Sequence, residues 1–339
     1  MNGPVNMAGG LMSAEMAEQP AVLARLIDRA AGDAALVRDA APGPLAGVVF
    51  LARGSSDNAA VFGRYLTELA AGRPVGLAAP SLYTRYHAEV DWSGYLVVAL
   101  SQSGSTPEIL NTCAAVRAAG ASLIGITNEP GSPMADAVDV LLSTDAGPEL
   151  AVPATKTMTA QMLLLATVAA ALDRRPAGPT VSLAALPSTV AAILDNPGPA
   201  ADLASRWRGI DRLVVSGRGL AYAAALEIAL KVKETTGILA EGMSVADLRH
   251  GPIAAAYAGA PVLLVDAGGP AAADIGELLE TLHGRGAEAA TLPLPPGLQE
   301  PAQVIAAVVR GQQVARSLAL AKGADPDAPA GLTKVTPTT

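Results

Sequence analysis

One cysteine, Cys113, stands in 339 residues, with three histidines and aromatics at only 3%. A single thiol excludes an internal disulfide and any metal cluster built on cysteine. With so few rings, Ala and Val fill the interior, and 51% hydrophobic against 16% charged residues leaves ample material for a globular core. Positive charge is in deficit: 23 Lys and Arg face 31 Asp and Glu, a net −8. That balance argues against a nucleic-acid partner. It leaves room for phosphate bound locally by a helix N-terminus. The first 20 residues carry Glu15 and Glu18 and no basic segment, so no signal peptide is expected. Apolar runs are interrupted too often for a membrane span. The expectation is a cytoplasmic protein with no membrane contact, and the length implies roughly two domains.

The most informative stretch is Leu96 to Leu110. Leu96 to Leu100 is a short apolar run of the kind buried on both faces of a parallel sheet. Six small or polar residues, Ser101, Gln102, Ser103, Gly104, Ser105 and Thr106, follow it before a helical pattern begins at Pro107. Ser105 and Glu108 have capping-box spacing, and Pro favours a helix start. Backbone N–H groups and the helix dipole at such a start attract anions, and the hydroxyls of Ser101, Ser103 and Thr106 add donors. The loop has no Lys or Arg, so it would hold phosphate by dipoles. Taken alone, the same residues also describe an ordinary capped helix. Cys113 lies in that helix and reads as a small apolar core residue.

Along the chain, residues 1–12 read as a mobile tail and Ser13 to Arg38 as one helix, with Leu23, Leu26 and Ile27 on one face. A strand over Gly47 to Ala52 ends in Arg53-Gly54-Ser55-Ser56, a second small-residue turn into a helix that stops at Gly72. Pro74 to Ala78, Ser122 to Thr127 and Val138 to Leu142 read as further strands, and Ser81 to Tyr86 as a turn or short helix. Strands alternating with helices at these lengths mean βα units and a parallel sheet. Glu149 to Ala171 is predicted as one long, almost wholly apolar helix, buried between domains or subunits. Arg174 to Thr180 is a linker, and Leu183 to Leu194 a helix.

The second half repeats the first. Arg212 to Gly219 parallels Val48 to Gly54, each a strand ending in Arg-Gly, and Ala260 to Asp266 parallels the Leu96 strand. Its following loop, Ala267-Gly268-Gly269-Pro270, lacks hydroxyls, so one phosphate loop is expected, in the first half. Ligands of open parallel sheets lie at the strands' carboxyl ends, so Ser55 and Ser56 should face the same pocket as Ser101 to Thr106. Gly217-Arg218-Gly219 lacks the third glycine and the acidic residue of a dinucleotide fingerprint.

Three strings carry a family resemblance. Ser-Gln-Ser-Gly-x-Thr at 101–106 resembles the phosphate loop of the sugar isomerase (SIS) family. Ala-Leu-Glu-Ile-Ala-Leu-Lys231-Val-Lys233-Glu234, then Ala-Glu241, then Asp247-Leu-Arg-His250-Gly-Pro resembles the isomerase domains of glucosamine-6-phosphate synthases. The tail from Lys322 through Asp325-Pro-Asp327 to Lys334-Val-Thr is similar to the family's ending. The resemblance covers roughly residues 45 to 337; Ser81-Leu82-Tyr83 and Ser105 depart from the synthase strings, which carry Ser-Glu-Phe and Glu there.

What the resemblance implies is an α/β protein with two flavodoxin-like SIS subdomains, each a parallel sheet flanked by helices, related by duplication. Residues 1–44 form a tail and helix, 45–175 the first SIS domain, 176–198 a linker helix, 199–322 the second SIS domain and 323–339 a tail over the active site. It also implies that Glu234 shuttles a proton between C1 and C2, His250 opens the sugar ring, Lys334 reaches the open-chain carbonyl, and Lys231 joins this set. A homodimer with His250 supplied in trans is expected; the apolar Met158 to Leu172 helix and the aperiodic Glu241 to Gly251 segment, read as an outward loop, agree with it. Locally, Glu234 also reads as a helical residue paired with Lys231 or Lys233, and His250 as a C-terminal helix charge. Enolisation beside a carbonyl proceeds without metal when a carboxylate is positioned and water excluded, so no metal or cofactor is expected. The start Met1-Asn2 lacks the N-terminal cysteine of a glutaminase. The expected reaction is therefore glucosamine 6-phosphate to fructose 6-phosphate and ammonia, or the reverse. The alternatives are an isomerase or deglycase for another amino-sugar phosphate, and a sugar-phosphate sensor without turnover.

Overall fold

The computed structural model describes residues 8–175 and 182–334. Most of the 1–12 segment, most of the linker and the tail beyond Lys334 lie outside them. The described part of the N-terminal segment is ordered: Met12 is fully buried, and α1 (Gly10–Ala17) begins before it. The single helix expected over Ser13 to Arg38 is two, α1 and α2 (Gln19–Ala40). The division falls at Glu18, just ahead of Pro20, which has no N–H for the helical ladder.

From there the chain alternates strand and helix: β1 (Gly47–Leu51), α3 (Ser55–Ala71), β2 (Val75–Leu77), α4 (Ser81–Thr84), β3 (Tyr95–Leu100), α5 (Pro107–Ala118), β4 (Ser122–Thr127), α6 (Met134–Ala137) and β5 (Val140–Ser143). These strands form one parallel sheet of order β2-β1-β3-β4-β5. That is the flavodoxin-like order, whose ligands lie at the reversal between β1 and β3. In β3, Leu96 to Leu100 are all buried, with Val98 in register between Phe50 and Ile124. On α5, Ile109, Cys113 and Val116 pack with Leu51, Val97 and Leu123. Burial pushes the Cys113 thiol up to about 12, only partly offset by Arg117, so it is an inert core group.

The second series is α7 (Lys156–Ala171), α8 (Leu186–Asp195), α9 (Gly198–Arg206), β6 (Arg212–Gly217), α10 (Ala221–Thr236), β7 (Leu239–Ser244), α11 (Val245–Arg249), β8 (Pro261–Val265), α12 (Ala272–Gly284), β9 (Glu288–Thr291) and α13 (Glu300–Ala321). Its strands make a parallel sheet of order β7-β6-β8-β9, the same order one strand shorter. The fold is therefore α/β with two parallel sheets of matching topology. Among the described residues no helix is long and apolar enough to cross a membrane.

Two expectations fail here. Residues 149–155 are not helical, and α7 starts at Lys156. Pro153 interrupts a helix, and neighbouring N–H groups are held elsewhere: Ala151 donates to Glu15 Oε1 at 3.1 Å and Val152 to the Asp327 carbonyl at 3.2 Å. The outward loop over Glu241 to Gly251 is instead β7 and α11. β7 is an edge strand with a mostly open face, so it shows no apolar alternation.

The chain forms two compact units. One holds the four-stranded sheet with residues up to Pro20, Pro148–Lys156 and Leu183–Lys334; the other holds the five-stranded sheet with Ala21–Gly147 and the segment from Thr157. Within the former, α10 is seated by close backbone approach on three sides. A Cβ on Gly217 of β6 would lie 2.4 Å from the Ala221 carbonyl oxygen, one on Gly242 of β7 2.7 Å from Leu226 Cα, and one on Gly311 of α13 2.2 Å from Ile228 Cγ1. All are closer than a side chain tolerates. Gly217, the first glycine of the Gly217-Arg218-Gly219 string, thus serves strand–helix packing.

Candidate functional site

In the five-stranded unit, the loops after β1 and β3 stand at the carboxyl ends of adjacent strands. Gly104 has φ 58°, and a Cβ there would lie 1.9 Å from Ser132 Oγ, so only glycine fits this turn. Its N–H donates to the Ser101 carbonyl at 3.2 Å and Ser101 Oγ at 3.1 Å. Ser101 Oγ also pairs with Thr106 Oγ1 at 3.2 Å. The Gln102 carbonyl accepts from Asn128 N and from Thr127 Oγ1, which pins the loop to the end of β4. Ser103 and Gln102 are half-buried, Ser101 is buried, and Ser55 and Ser56 open α3, with Ser56 buried. The capping box does not form. Thr106 is the N-cap of α5 and makes no side-chain cap bond. Ser105 N donates to Ser103 Oγ instead, at 3.3 Å. The Glu108 carboxylate is taken by Arg53, Nε to Oε2 at 3.0 Å and Nη2 to Oε1 at 3.2 Å. This bidentate pair ties the loop after β1 to the first turn of α5 and brings a guanidinium to a loop without cations of its own.

In the four-stranded unit, Glu227, Lys231 and Glu234 follow one another at i, i+4 and i+7 on α10, so all three share one helix face. Lys231 Nζ lies 2.5 Å from Glu234 Oε2 and 3.5 Å from Glu227 Oε1; Lys231 is 1% exposed and Glu227 not at all. Burial alone pulls an ammonium down, and here it is the largest single effect; Glu227, Glu234 and Glu149 together outweigh it and hold Lys231 above its ordinary range. The pairing of Glu234 with Lys231 is thus real, and it does not use up the carboxylate. Oε2 is buried, yet 23% of the side chain stays exposed, so the opening is not at that oxygen.

The tail from Lys322 is held at several points within the same unit. Asp327 accepts from Leu11 N and Met12 N at 2.9 and 2.8 Å, Asp325 from Gly9 N at 3.1 Å, and Arg316 donates to the Gly9 carbonyl. The Asp-Pro-Asp string therefore caps the start of α1. Beyond it, Lys334 Nζ donates to Glu149 Oε2 at 2.9 Å and to the Ala151 carbonyl at 2.7 Å. Glu149 Oε1 accepts from Thr155 N at 2.9 Å. Glu15, its carboxyl raised chiefly by burial, accepts from Leu150 N and Ala151 N.

The geometry joins Lys231 with Glu234, and Lys334 with Glu149, whose charge also reaches Lys231. His250 stands apart: it ends α11, is exposed, and has no ion pair or side-chain hydrogen bond among the described residues. Glu149, Glu15 and Arg53 escape a reading of the sequence, because their partners lie 185, 135 and 55 residues away. No group of three or more His, Cys, Asp or Glu among the described residues is placed to hold a metal ion.

With both strand-end loops and the charged face of α10 in view, comparison with known proteins is informative. The SIS domain model matches residues 47–171 and 208–292. The chain belongs to the SIS domain family. It is 35% identical over 356 residues to a glutamine–fructose-6-phosphate aminotransferase (isomerizing) of Aeropyrum pernix, covering 95% of this chain and 56% of that one. The chain thus spans about half the length of the curated relatives it matches. A protein from Silicibacter pomeroyi DSS-3 named only by class, as a phosphosugar isomerase, superposes with TM-score 0.85 at 30% identity, covering 94% and 99% of the two chains. The C-terminal domain of glucosamine-fructose-6-phosphate aminotransferase from Francisella tularensis has the same fold, with TM-score 0.86 at 23% identity over 97% of this chain and all of that one.

If the loop after β3 binds phosphate, Ser103→Ala and Thr106→Val each remove a hydrogen bond to a charged group. Each should raise KM for a sugar phosphate about ten- to a hundredfold, with kcat little changed. Steady-state kinetics check this, and wild-type KM in both variants would put the phosphate elsewhere.

Proposed function

We propose that this chain interconverts aldose and ketose phosphates, and in its deaminating direction converts glucosamine 6-phosphate and water into fructose 6-phosphate and ammonia. The observation that carries the reading is Glu234: one oxygen buried against the fully buried Lys231, the side chain still open to a ligand. His250 opens the ring to the aldehyde. Glu234 takes the proton from C2, giving the enolamine, and returns it to C1, giving the ketose imine. Water then adds to C2 and ammonia leaves. The Ser101–Thr106 loop, with Ser55 and Ser56, binds the phosphate, and Lys334 donates toward the open-chain carbonyl. Lys231 orients Glu234 through its ion pair. Support comes also from the curated relatives, named for isomerising aminotransfer.

The proposed assembly is a homodimer in which each site takes Glu234 from one chain and His250 from the other. The exposed His250, with no side-chain partner of its own among the described residues, supports this.

Glu234→Gln should retain the fold and the KM for phosphate and lose about 10²- to 10⁴-fold in kcat. Ammonia release from a panel of amino-sugar phosphates measures it, and an undiminished kcat would remove Glu234 from proton transfer. Mixing Glu234→Gln with His250→Asn subunits should restore about a quarter of wild-type activity, since half the dimers then carry one intact site of two. A mixture that exchanges subunits and stays inactive contradicts the shared site.

A further inference from the structure

Glu149 has no role in the steps above, yet it is a buried carboxylate held at both oxygens. Its side chain is fully buried. One oxygen is fixed by the Thr155 N–H at 2.9 Å, and the other holds Lys334 Nζ at 2.9 Å. Lys334 makes a second bond, to the Ala151 carbonyl at 2.7 Å, so two of the ammonium's three donors are fixed by one short non-helical segment. That segment is itself held on both sides. Glu15 accepts from Leu150 N and Ala151 N, and Val152 N donates to the Asp327 carbonyl. Asp327 in turn caps α1. The tail is thereby secured at Asp325 and Asp327, and again at Lys334, where 23% of the side chain remains open. Glu149 also contributes to the charge that keeps Lys231 protonated. Lys334 and the Lys231–Glu234 pair are therefore referred to a common buried carboxylate.

We propose that Glu149 is a positioning residue that presents the Lys334 amine to the substrate, and that the non-helical 149–155 segment exists to hold it. The inference rests on the isomerase reading above, and it extends the site to a residue that touches no substrate.

The test is Glu149→Gln, which keeps an oxygen acceptor for the Thr155 N–H and removes the charge. Three measurements on the full chain are made together. First, kcat should fall about 10- to 100-fold, with KM for the sugar phosphate within about threefold of wild type, the pattern of a misplaced group rather than lost binding. Second, in a Lys334→Met background the same substitution should change kcat by less than about threefold, because its route of action is already gone. Third, acylation of Lys334 by acetic anhydride at pH 8, read by peptide mass spectrometry without any substrate, should be about fivefold faster or more in Glu149→Gln than in wild type. Thermal unfolding confirms that the variant folds; if it does not, Glu149→Asp replaces it, with the shortened arm lowering kcat in the same direction. An unchanged kcat, an equal loss in the Lys334→Met background, or unchanged labelling overturns the proposal. If the wild-type chain converts none of the sugar phosphates, the functional reading falls, and the labelling comparison alone decides whether Glu149 holds Lys334.

Discussion

A full positive charge with 1% exposure cannot persist in a protein without carboxylates to replace its water, and Lys231 is such a charge. Glu227 and Glu234 flank it on α10, and Glu149 adds its field from a segment far off in sequence. Removing any one of them alters the state of the others. The requirement of neutralising this charge accounts for Glu234 Oε2 lying against the Lys231 ammonium. Glu149 adds its charge to this balance while itself holding Lys334.

Such a cluster needs a rigid carrier, and the packing of α10 supplies it. Glycines on β6, β7 and α13 let neighbouring atoms approach it at distances that a methyl group would forbid. The two parallel sheets share a strand order but differ in the residues that follow their strands. Both have strand order 2-1-3-4, yet the first retains a hydroxyl-rich loop after β3, while the second has glycines after β8 and ionisable residues on the helix after β6. In the proposed reaction the first half recognises the anion and the second moves the proton.

Much of this is legible in the sequence, for identifiable reasons. Parallel strands buried on both faces announce themselves as apolar runs, so β1, β3, β4 and β8 are placed to within a residue or two. The Glu227, Lys231 and Glu234 spacing specifies a shared helix face whatever the tertiary fold. Three kinds of feature stay hidden. β7 is an edge strand without apolar alternation. In residues 149–155 Pro153 is a local break, but that Glu15 and Asp327 take the neighbouring N–H groups is not visible locally. Glu108 looks like a cap until Arg53 is known to hold it. In each case the deciding partner is distant in the chain, and local propensity has no information about it.

The central claim is that Lys231 is a permanent buried ammonium paired with Glu234. Proton–carbon NMR of ε-¹³C-lysine-labelled protein tests it directly, with Lys231→Met identifying the signal. The account predicts a Lys231 resonance that stays at the ammonium position up to about pH 10, beyond the range where a desolvated, unpaired lysine would already have lost its proton. A Lys231 signal that titrates between about pH 6 and 9 would contradict it, since the amine would then be neutral and Glu234 would lack its counter-ion.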